Sequence, residues 1–122
     1  MNEIFKDFTR SIERFGEIIV APQTVANRDS AIKRFELTFE PSWKTTQRFL
    51  NDQGIICRSP RECFKELVRF GALDDDAAWI EMMEDRNRTV HTYHEETADK
   101  IYSRLPAYLQ LFLKLKDALG GL

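Results

Sequence analysis

The stretch NEIFKDFTRSIERFGEIIVA, residues 2–21, has the pattern of an amphipathic helix. Its apolar side chains recur in steps of three and four residues, which place them on one helical face: Ile4, Phe5, Phe8, Ile12, Phe15 and Ile19. Pro22 ends this first predicted helix. Since no segment of the chain sustains a two-residue alternation of apolar and polar side chains, the sequence predicts an all-α fold.

The same spacing continues in a second predicted helix, which Asn27 or Asp29 can cap. Its apolar face consists of Ile32, Phe35, Phe39, Trp43 and Leu50. Pro41 lies inside this pattern, and because proline removes a backbone donor we predict a bend there. Gly54 is suited to the left-handed conformation that ends many helices.

Three more helices are indicated by their end signals. Ser59-Pro60-Arg61-Glu62 has the form of a capping box with proline in the first helical position, and Gly71 ends the helix that follows. Asp74-Asp75-Asp76 provides a cap for a fourth helix. A last helix begins near Glu95, and we predict that Pro106 interrupts it.

Residues 1–122 contain no linker, repeat or low-complexity segment, so they form a single predicted domain. Short connections between long amphipathic helices favour an antiparallel, up-and-down bundle of about five helices. No apolar stretch reaches the roughly 20 residues that span a bilayer, and the charged N-terminus has no signal-peptide core. We therefore expect a cytoplasmic protein, with Cys57 and Cys63 as reduced thiols.

The net charge of -2 excludes a molecule that binds nucleic acid through its overall charge, so RNA contact needs a local cluster of cations. The stretch RNRTVHTY, residues 86–93, offers chemistry of that kind. An arginine can bind phosphate through two hydrogen bonds, a histidine can exchange protons near neutral pH, and a tyrosine hydroxyl can be modified. These residues are Arg86, His91 and Tyr93.

Arg86 and His91 are five positions apart, which on a regular helix is a turn of about 140°. A common site therefore needs the helix to loosen between Asn87 and Thr92, or a second copy of the chain to complete it. The functional interpretation is metal-independent RNA cleavage. His91 would be the general acid or base, Arg86 would stabilise charge on phosphorus, and Asn87 would orient the substrate.

Two alternatives stay open at this point. Arg86 could be a helix-end arginine paired with Asp85 or Glu84, with an exposed histidine nearby. His91 and His94 could share a metal ion, but two such ligands are too few, so we predict no metal site. The chain also has no glycine loop for phosphates and no dinucleotide fingerprint.

Several segments, in order along almost the whole chain, resemble the HEPN superfamily, in its branch of nucleotidyltransferase substrate-binding proteins. These segments are RDSAIKRFELTFE (residues 28–40), Trp43-Lys44, Ser59-Pro60-Arg61-Glu62, WIEMMED (residues 79–85), RNRTVHTY (residues 86–93) and Glu95-Glu96-Thr97-Ala98. Pro41 departs from this pattern, since an ordinary helix former is expected there.

The resemblance implies a homodimeric helical bundle that acts as the ribonuclease toxin of a toxin–antitoxin pair. Arg86 and His91 would then be catalytic, with RNA as substrate and no contact with DNA or membranes. The implied antitoxin is a minimal nucleotidyltransferase that transfers AMP to Tyr93, so ATP and magnesium belong to the partner and this chain needs no cofactor. The alternative is a non-catalytic subunit that presents a substrate to the nucleotidyltransferase.

Overall fold

The computed structural model describes residues 2–120 and confirms the all-α class, with five α-helices and no strand among those residues. A single 3-10 turn, Thr89–His91, separates the last two helices. No helix in this range is both long enough and apolar enough to cross a membrane. The helices are α1 Glu3–Ile19, α2 Val25–Asp52, α3 Pro60–Phe70, α4 Ala77–Arg88 and α5 Glu95–Gly120.

Helix α2 begins one turn earlier than predicted. Its N-cap is Thr24, whose hydroxyl accepts a hydrogen bond from the backbone N–H of Asn27 at 3.0 Å. Asn27 and Asp29 lie inside the helix, so the prediction that one of them caps it is wrong. The Asn27 side chain instead donates to the carbonyl of Pro22 at 2.8 Å, which fastens the α1–α2 turn to the start of α2.

Two helices continue through their prolines. Helix α5 includes Pro106 in its interior, so the predicted interruption there is wrong. Helix α2 likewise includes Pro41, and the bend predicted at that residue stays a prediction. Proline removes one backbone donor, but buried residues on both sides hold each helix against the core. Leu105 and Tyr108 do so in α5.

The predicted end signals of α3 and α4 are largely confirmed. Ser59 is the N-cap of α3 and accepts from the backbone N–H of Glu62 at 3.2 Å. The Glu62 carboxylate reaches back to the N–H of Arg58, one residue before the capping-box position. Gly71 ends α3 with φ 96°. The carboxylate of Asp75 accepts from the first backbone N–H of α4 at 2.9 Å.

The loop after α2 is fastened to the helices on either side. Gly54 has φ 82°, the left-handed conformation predicted for it. Gln47 of α2 donates to the carbonyl of Cys57 at 2.7 Å. Cys57 and Cys63 form a disulfide, so the expectation of two reduced thiols is wrong. The loop folds back on the first turn of α3 and brings the two Cα atoms to 5.1 Å, within disulfide range.

Phe112 of α5 lies at the centre of the aromatic core. Its ring centroid is 5.9 to 6.3 Å from four other aromatic rings, which come from α1, α2 and α4. Those rings are Phe8, Phe15, Phe35 and Trp79. Helix α5 therefore joins the α1–α2 pair to α4.

Candidate functional site

The segment of residues 86–93 leaves regular helical geometry between Asn87 and Thr92, the stretch in which a common site would need the helix to loosen. Helix α4 ends at Arg88, one 3-10 turn follows, and α5 begins at Glu95. Two threonine hydroxyls bond to the backbone here: Thr89 donates to the carbonyl of Arg86 at 2.6 Å, and Thr92 donates to that of Thr89 at 3.1 Å. Such bonds compete with the helical ladder, which explains the change of geometry.

Arg86 is held by α2. Its guanidinium donates to the carboxylate of Glu40, and its central carbon lies 5.7 Å from the ring centroid of Phe39. The Arg86 side chain is 36% exposed, so part of it still faces solvent. Sequence reasoning missed Glu40 as the partner, since 46 residues separate the two positions.

The two acids considered as partners of Arg86 bind its neighbour instead. Arg88 forms ion pairs with Glu84 at 3.6 Å and with Asp85 at 2.9 Å. The alternative in which Arg86 pairs with Asp85 or Glu84 is therefore wrong. Arg86 is consequently directed toward α2 and not along its own helix.

A surface groove of about 430 Å³ runs between α2 and the end of α4, and we call it the motif groove. It contains Arg86 and Asn87, two of the predicted site residues. Its charged side chains are two cations and two carboxylates, so the groove is close to neutral. The lining residues are Lys33, Glu36, Leu37, Glu40, Arg86, Asn87, Thr89 and Val90.

His91 and Tyr93 lie beside the motif groove but not among its lining residues. Both are exposed, and the His91 Nδ1 atom is 3.3 Å from the Tyr93 hydroxyl. The Tyr93 ring also contacts His94, with centroids 4.4 Å apart, and Tyr93 is 72% exposed. Among the described residues no hydrogen bond joins Arg86 to His91. One chain therefore holds the predicted residues as two neighbouring pairs.

Within residues 2–120, no group of three or more histidine, cysteine or acidic side chains is arranged to hold a metal ion. His91 and His94 thus gain no third ligand from another element in that range. The absence of a metal site, like the absence of a cofactor, stays a prediction about the protein in solution.

Asp85, next to Arg86 in the chain, is completely buried and sequence reasoning missed its role. Its carboxylate accepts from Arg104 at 2.8 and 2.9 Å, from Arg88 at 2.9 Å, and from the Tyr108 hydroxyl. We call these four side chains the Asp85 network. The network ties the last turn of α4 to the middle of α5, and so fixes the backbone from which Arg86 projects.

The Asp85 network shifts the ionisation of its members. Burial, and next the bond to Asp85, raise the pKa of Tyr108 well above its ordinary value near 10. The bond to Asp85 also raises the pKa of Arg104. Because the folded state holds the Tyr108 proton more tightly, this stabilisation is complete below pH 10 and is lost as the pH rises further.

The sequence did contain a signal for Asp85. The buried positions of α4 and the following turn are Trp79, Met82, Asp85 and Thr89, spaced by three and four residues. An acidic residue in such a stripe needs a buried partner, because an unpaired charge in the core is costly. Arg104 and Tyr108, four residues apart on α5, provide it.

Arg28 fixes the other end of the segment. It is buried at the start of α2 and donates to Glu95 at 2.6 Å, to Asp99 at 3.0 Å and to Asp29 at 3.0 Å. The bond from Arg28 lowers the pKa of Glu95. Glu95 begins α5 directly after His94. The ion pairs of Arg28 therefore fix the C-terminal end of the segment, and the Asp85 network fixes its N-terminal end.

The chain matches one protein family over residues 3–120, the family described as nucleotidyltransferase substrate binding protein like. A curated relative from Haemophilus influenzae (strain ATCC 51907 / DSM 11121 / KW20 / Rd) is named "Probable ribonuclease HepT". It is 32% identical over 84 residues, which are 65% of this chain and 58% of the relative. The match thus spans little more than half of that protein.

Two solved structures share the fold. A crystal structure from Thermus thermophilus has a TM-score of 0.87 and 34% identity, and the alignment covers 92% of this chain and 98% of that one. HI0074 from Haemophilus influenzae, described as having the fold of a substrate-binding domain of a nucleotidyltransferase, has a TM-score of 0.69 and 24% identity, with 95% and 93% covered. These findings confirm the resemblance noted in the sequence. The chain belongs to the nucleotidyltransferase substrate-binding protein-like family, within the HEPN superfamily.

Proposed function

We propose that this protein is a HEPN-type toxin, a metal-independent endoribonuclease that a partner nucleotidyltransferase controls. The observation that carries the proposal is the motif groove, where a partly exposed Arg86 meets Asn87 beside the His91–Tyr93 pair. The similarity to a protein named as a probable ribonuclease supports the same activity. A cation, an amide and an imidazole are groups that phosphodiester transfer uses.

The proposed reaction uses the 2′-hydroxyl of the RNA as nucleophile. His91 takes its proton, the 2′-oxygen bonds to phosphorus, and the bond from phosphorus to the 5′-oxygen breaks. A proton then passes to that leaving oxygen, giving a 2′,3′-cyclic phosphate and a free 5′-hydroxyl. Arg86 stabilises the charge that develops on the non-bridging oxygens, and Asn87 orients the phosphate. Glu40 holds Arg86 in place before the substrate arrives.

The proposed active form is a homodimer. One chain offers a single His91, whereas the reaction needs a base and an acid, and a second copy supplies the other imidazole. One apolar side chain of the motif is exposed, which supports burial against another copy: Val90 is 71% exposed.

The first test compares RNA cleavage by His91→Ala and Arg86→Ala with cleavage by the wild type. Removing an acid–base group should lower the rate about 10²- to 10⁴-fold, while EDTA should have no effect. His94→Ala is the matched control, because His94 is also exposed and lies only three residues away. Equal cleavage by His91→Ala and His94→Ala would refute the catalytic assignment.

The second part of the proposal is that the partner transfers AMP from ATP to the Tyr93 hydroxyl. The α-phosphorus bonds to the tyrosine oxygen, pyrophosphate leaves, and magnesium acts in the partner. The 72% exposure of Tyr93 supports access by another enzyme. The adduct adds bulk and negative charge beside the motif groove, so it opposes RNA binding by occupying space and competing for Arg86.

Intact-mass spectrometry after co-expression with a cognate nucleotidyltransferase tests this step. We expect mass increments of whole AMP units on the wild type and on Tyr102→Phe, and none on Tyr93→Phe. Tyr102 is a suitable control because it is a partly exposed tyrosine outside the motif. An increment that persists in Tyr93→Phe would place the modification elsewhere.

The second candidate function is a non-catalytic subunit that presents a substrate to the nucleotidyltransferase. Its supporting observation is that Arg86 and His91 are not joined within one chain. In that case the purified protein cuts no RNA, and Arg86→Ala and His91→Ala leave growth of the producing cells unchanged. If the wild-type protein cuts RNA in EDTA, the ribonuclease function is supported and the non-catalytic one is refuted.

A further inference from the structure

A second groove, of about 340 Å³, lies on α2 beyond the motif groove. Three of its lining residues are cations and none is acidic. We call it the basic groove. Its lining residues are Ile4, Lys44, Gln47, Arg48, Asn51, Ile56, Cys57 and Arg58. No residue lines both grooves, and none of the basic-groove residues belongs to the segment of residues 86–93.

The two grooves follow one face of α2. Along α2, each residue that lines a groove is one, three or four positions from the next. At this spacing all of them project from one side of the helix. They are Lys33, Glu36, Leu37 and Glu40 in the motif groove, then Lys44, Gln47, Arg48 and Asn51 in the basic groove. With a rise of 1.5 Å per residue, Arg48 lies about 12 Å along the axis from Glu40.

Glu40 marks the boundary between the grooves. One of its oxygens accepts from Arg86, and the other lies 3.9 Å from the Lys44 ammonium group. The side chain that positions the proposed catalytic arginine is thus the neighbour of the first cation of the basic groove. An elongated ligand lying along this face of α2 would therefore meet both grooves.

The cations of the basic groove are available to an anion. Lys44 and Arg48 each pair with a carboxylate one turn away on α2, at 3.9 and 3.4 Å, and these side chains are about half exposed. Such surface pairs contribute about 0–1 kcal/mol, so phosphate can replace them at low cost. Within the described residues the Arg58 guanidinium forms no ion pair, and only its backbone N–H binds Glu62.

We propose that the basic groove is the subsite that binds the RNA backbone beyond the scissile phosphate. The motif groove is close to neutral and the whole chain carries a formal charge of -2, so neither attracts a polyanion. The basic groove supplies three cations at one place. A mononucleotide would occupy one groove, whereas two grooves end to end on one helical face fit a polymer of phosphates. This inference rests on the proposed ribonuclease function and names where its substrate binds.

The test is the salt dependence of RNA binding. The probe is a fluorescein-labelled single-stranded RNA of about 12 nucleotides in EDTA, and every protein carries His91→Ala to prevent cleavage. The groove variant replaces Lys44, Arg48 and Arg58 by glutamine. The control variant makes the same change of charge at Arg10, Arg69 and Lys100, exposed cations that each pair with a carboxylate within one turn and line neither groove.

We expect the groove variant to bind RNA more weakly at every salt concentration. The slope of log K against log salt should become shallower by about 2, since each phosphate contact on a single strand contributes roughly 0.7. The control variant should keep the wild-type slope. Equal slopes for the two variants overturn the proposal, as does a groove variant that keeps RNA binding but loses binding to the nucleotidyltransferase.

Cleavage of the same RNA by proteins with intact His91 separates the two proposals. If the wild type cuts RNA and both variants bind with the wild-type slope, the ribonuclease function is supported and the proposed RNA subsite is refuted. If the salt-dependence slope changes in the groove variant but the wild type does not cut RNA, the RNA subsite is supported and the ribonuclease function is refuted. A wild type that neither binds nor cuts RNA refutes both.

Discussion

Two buried charged residues, Asp85 and Arg28, anchor the backbone at the two ends of the segment of residues 86–93. Each is in direct contact with several partners, so its charge is compensated in the core. Both side chains are buried, so their effect on the candidate site is to position its backbone.

Replacing Asp85 by alanine should lower the free energy of unfolding by about 2–3 kcal/mol, because the buried Tyr108 hydroxyl loses its acceptor. Arg104 and Arg88 are 39% and 51% exposed, so water can solvate them and limits the cost. Urea denaturation followed by circular dichroism measures the change.

Glu81→Ala is the control for Asp85→Ala. Glu81 lies on the same helix, is 60% exposed, and approaches Arg104 only to 4.0 Å. Its loss should change stability by less than about 0.5 kcal/mol. Similar losses for the two variants would show that the buried hydrogen bonds of Asp85 are not what stabilises this region.

At the scale of helices, local signals predicted the ends of α3 and the start of α4, because each rests on neighbouring residues. Ser59, Gly71 and Asp75 all act within a few positions of the helix end they define. The effects of Pro41 and Pro106 depend instead on packing between helices, which local propensity does not contain.

The residues of the candidate site likewise differ in whether neighbouring positions in the sequence are enough to indicate them. The candidates Arg86, Asn87, His91 and Tyr93 come from one continuous stretch, and the structure ends the regular helix within it. Glu40 could not be indicated in this way, because it meets Arg86 across 46 residues only after α2 packs beside α4. The basic groove combines α1, α2 and the loop before α3, so it too appears only in the folded chain.

Two glycines should respond to alanine substitution in opposite directions. Gly16 lies inside α1, where an added Cβ would be 3.9 Å from a Leu109 methyl group, an ordinary contact. Gly16→Ala should raise the free energy of unfolding by about 0.5–1 kcal/mol. Gly71 has φ 96° with open space around it, so Gly71→Ala should lower it by about 1–2 kcal/mol through backbone conformation alone.

Urea denaturation of Gly16→Ala and Gly71→Ala measures whether each substitution raises or lowers the free energy of unfolding. Gly54→Ala provides a second test of the backbone effect. Gly54 also has positive φ, 82°, with nothing near its added Cβ, so it should behave as Gly71 does. A stabilised Gly71→Ala would contradict the left-handed end of α3.

At the scale of the molecule, the proposed ribonuclease mechanism needs more than one chain provides. Arg86 and Asn87 lie in the motif groove, while His91 and Tyr93 lie beside it, and Val90 between the two pairs in sequence is exposed. Twofold association would bring two such segments together and is the commonest symmetry of oligomers.

We therefore expect a homodimer in which Val90 is buried, and Val90→Asp should convert it to a monomer that stays helical. A carboxylate at the centre of an apolar contact must lose its hydration without a partner, which opposes association. Light scattering at micromolar concentration gives the mass, and circular dichroism gives the fold. Val20→Asp is the control, since Val20 is 84% exposed and lies outside the motif, and it should leave the dimer intact. If the wild type is monomeric under these conditions, a second copy takes no part in the proposed reaction. His91 would then have to serve as both base and acid within one chain.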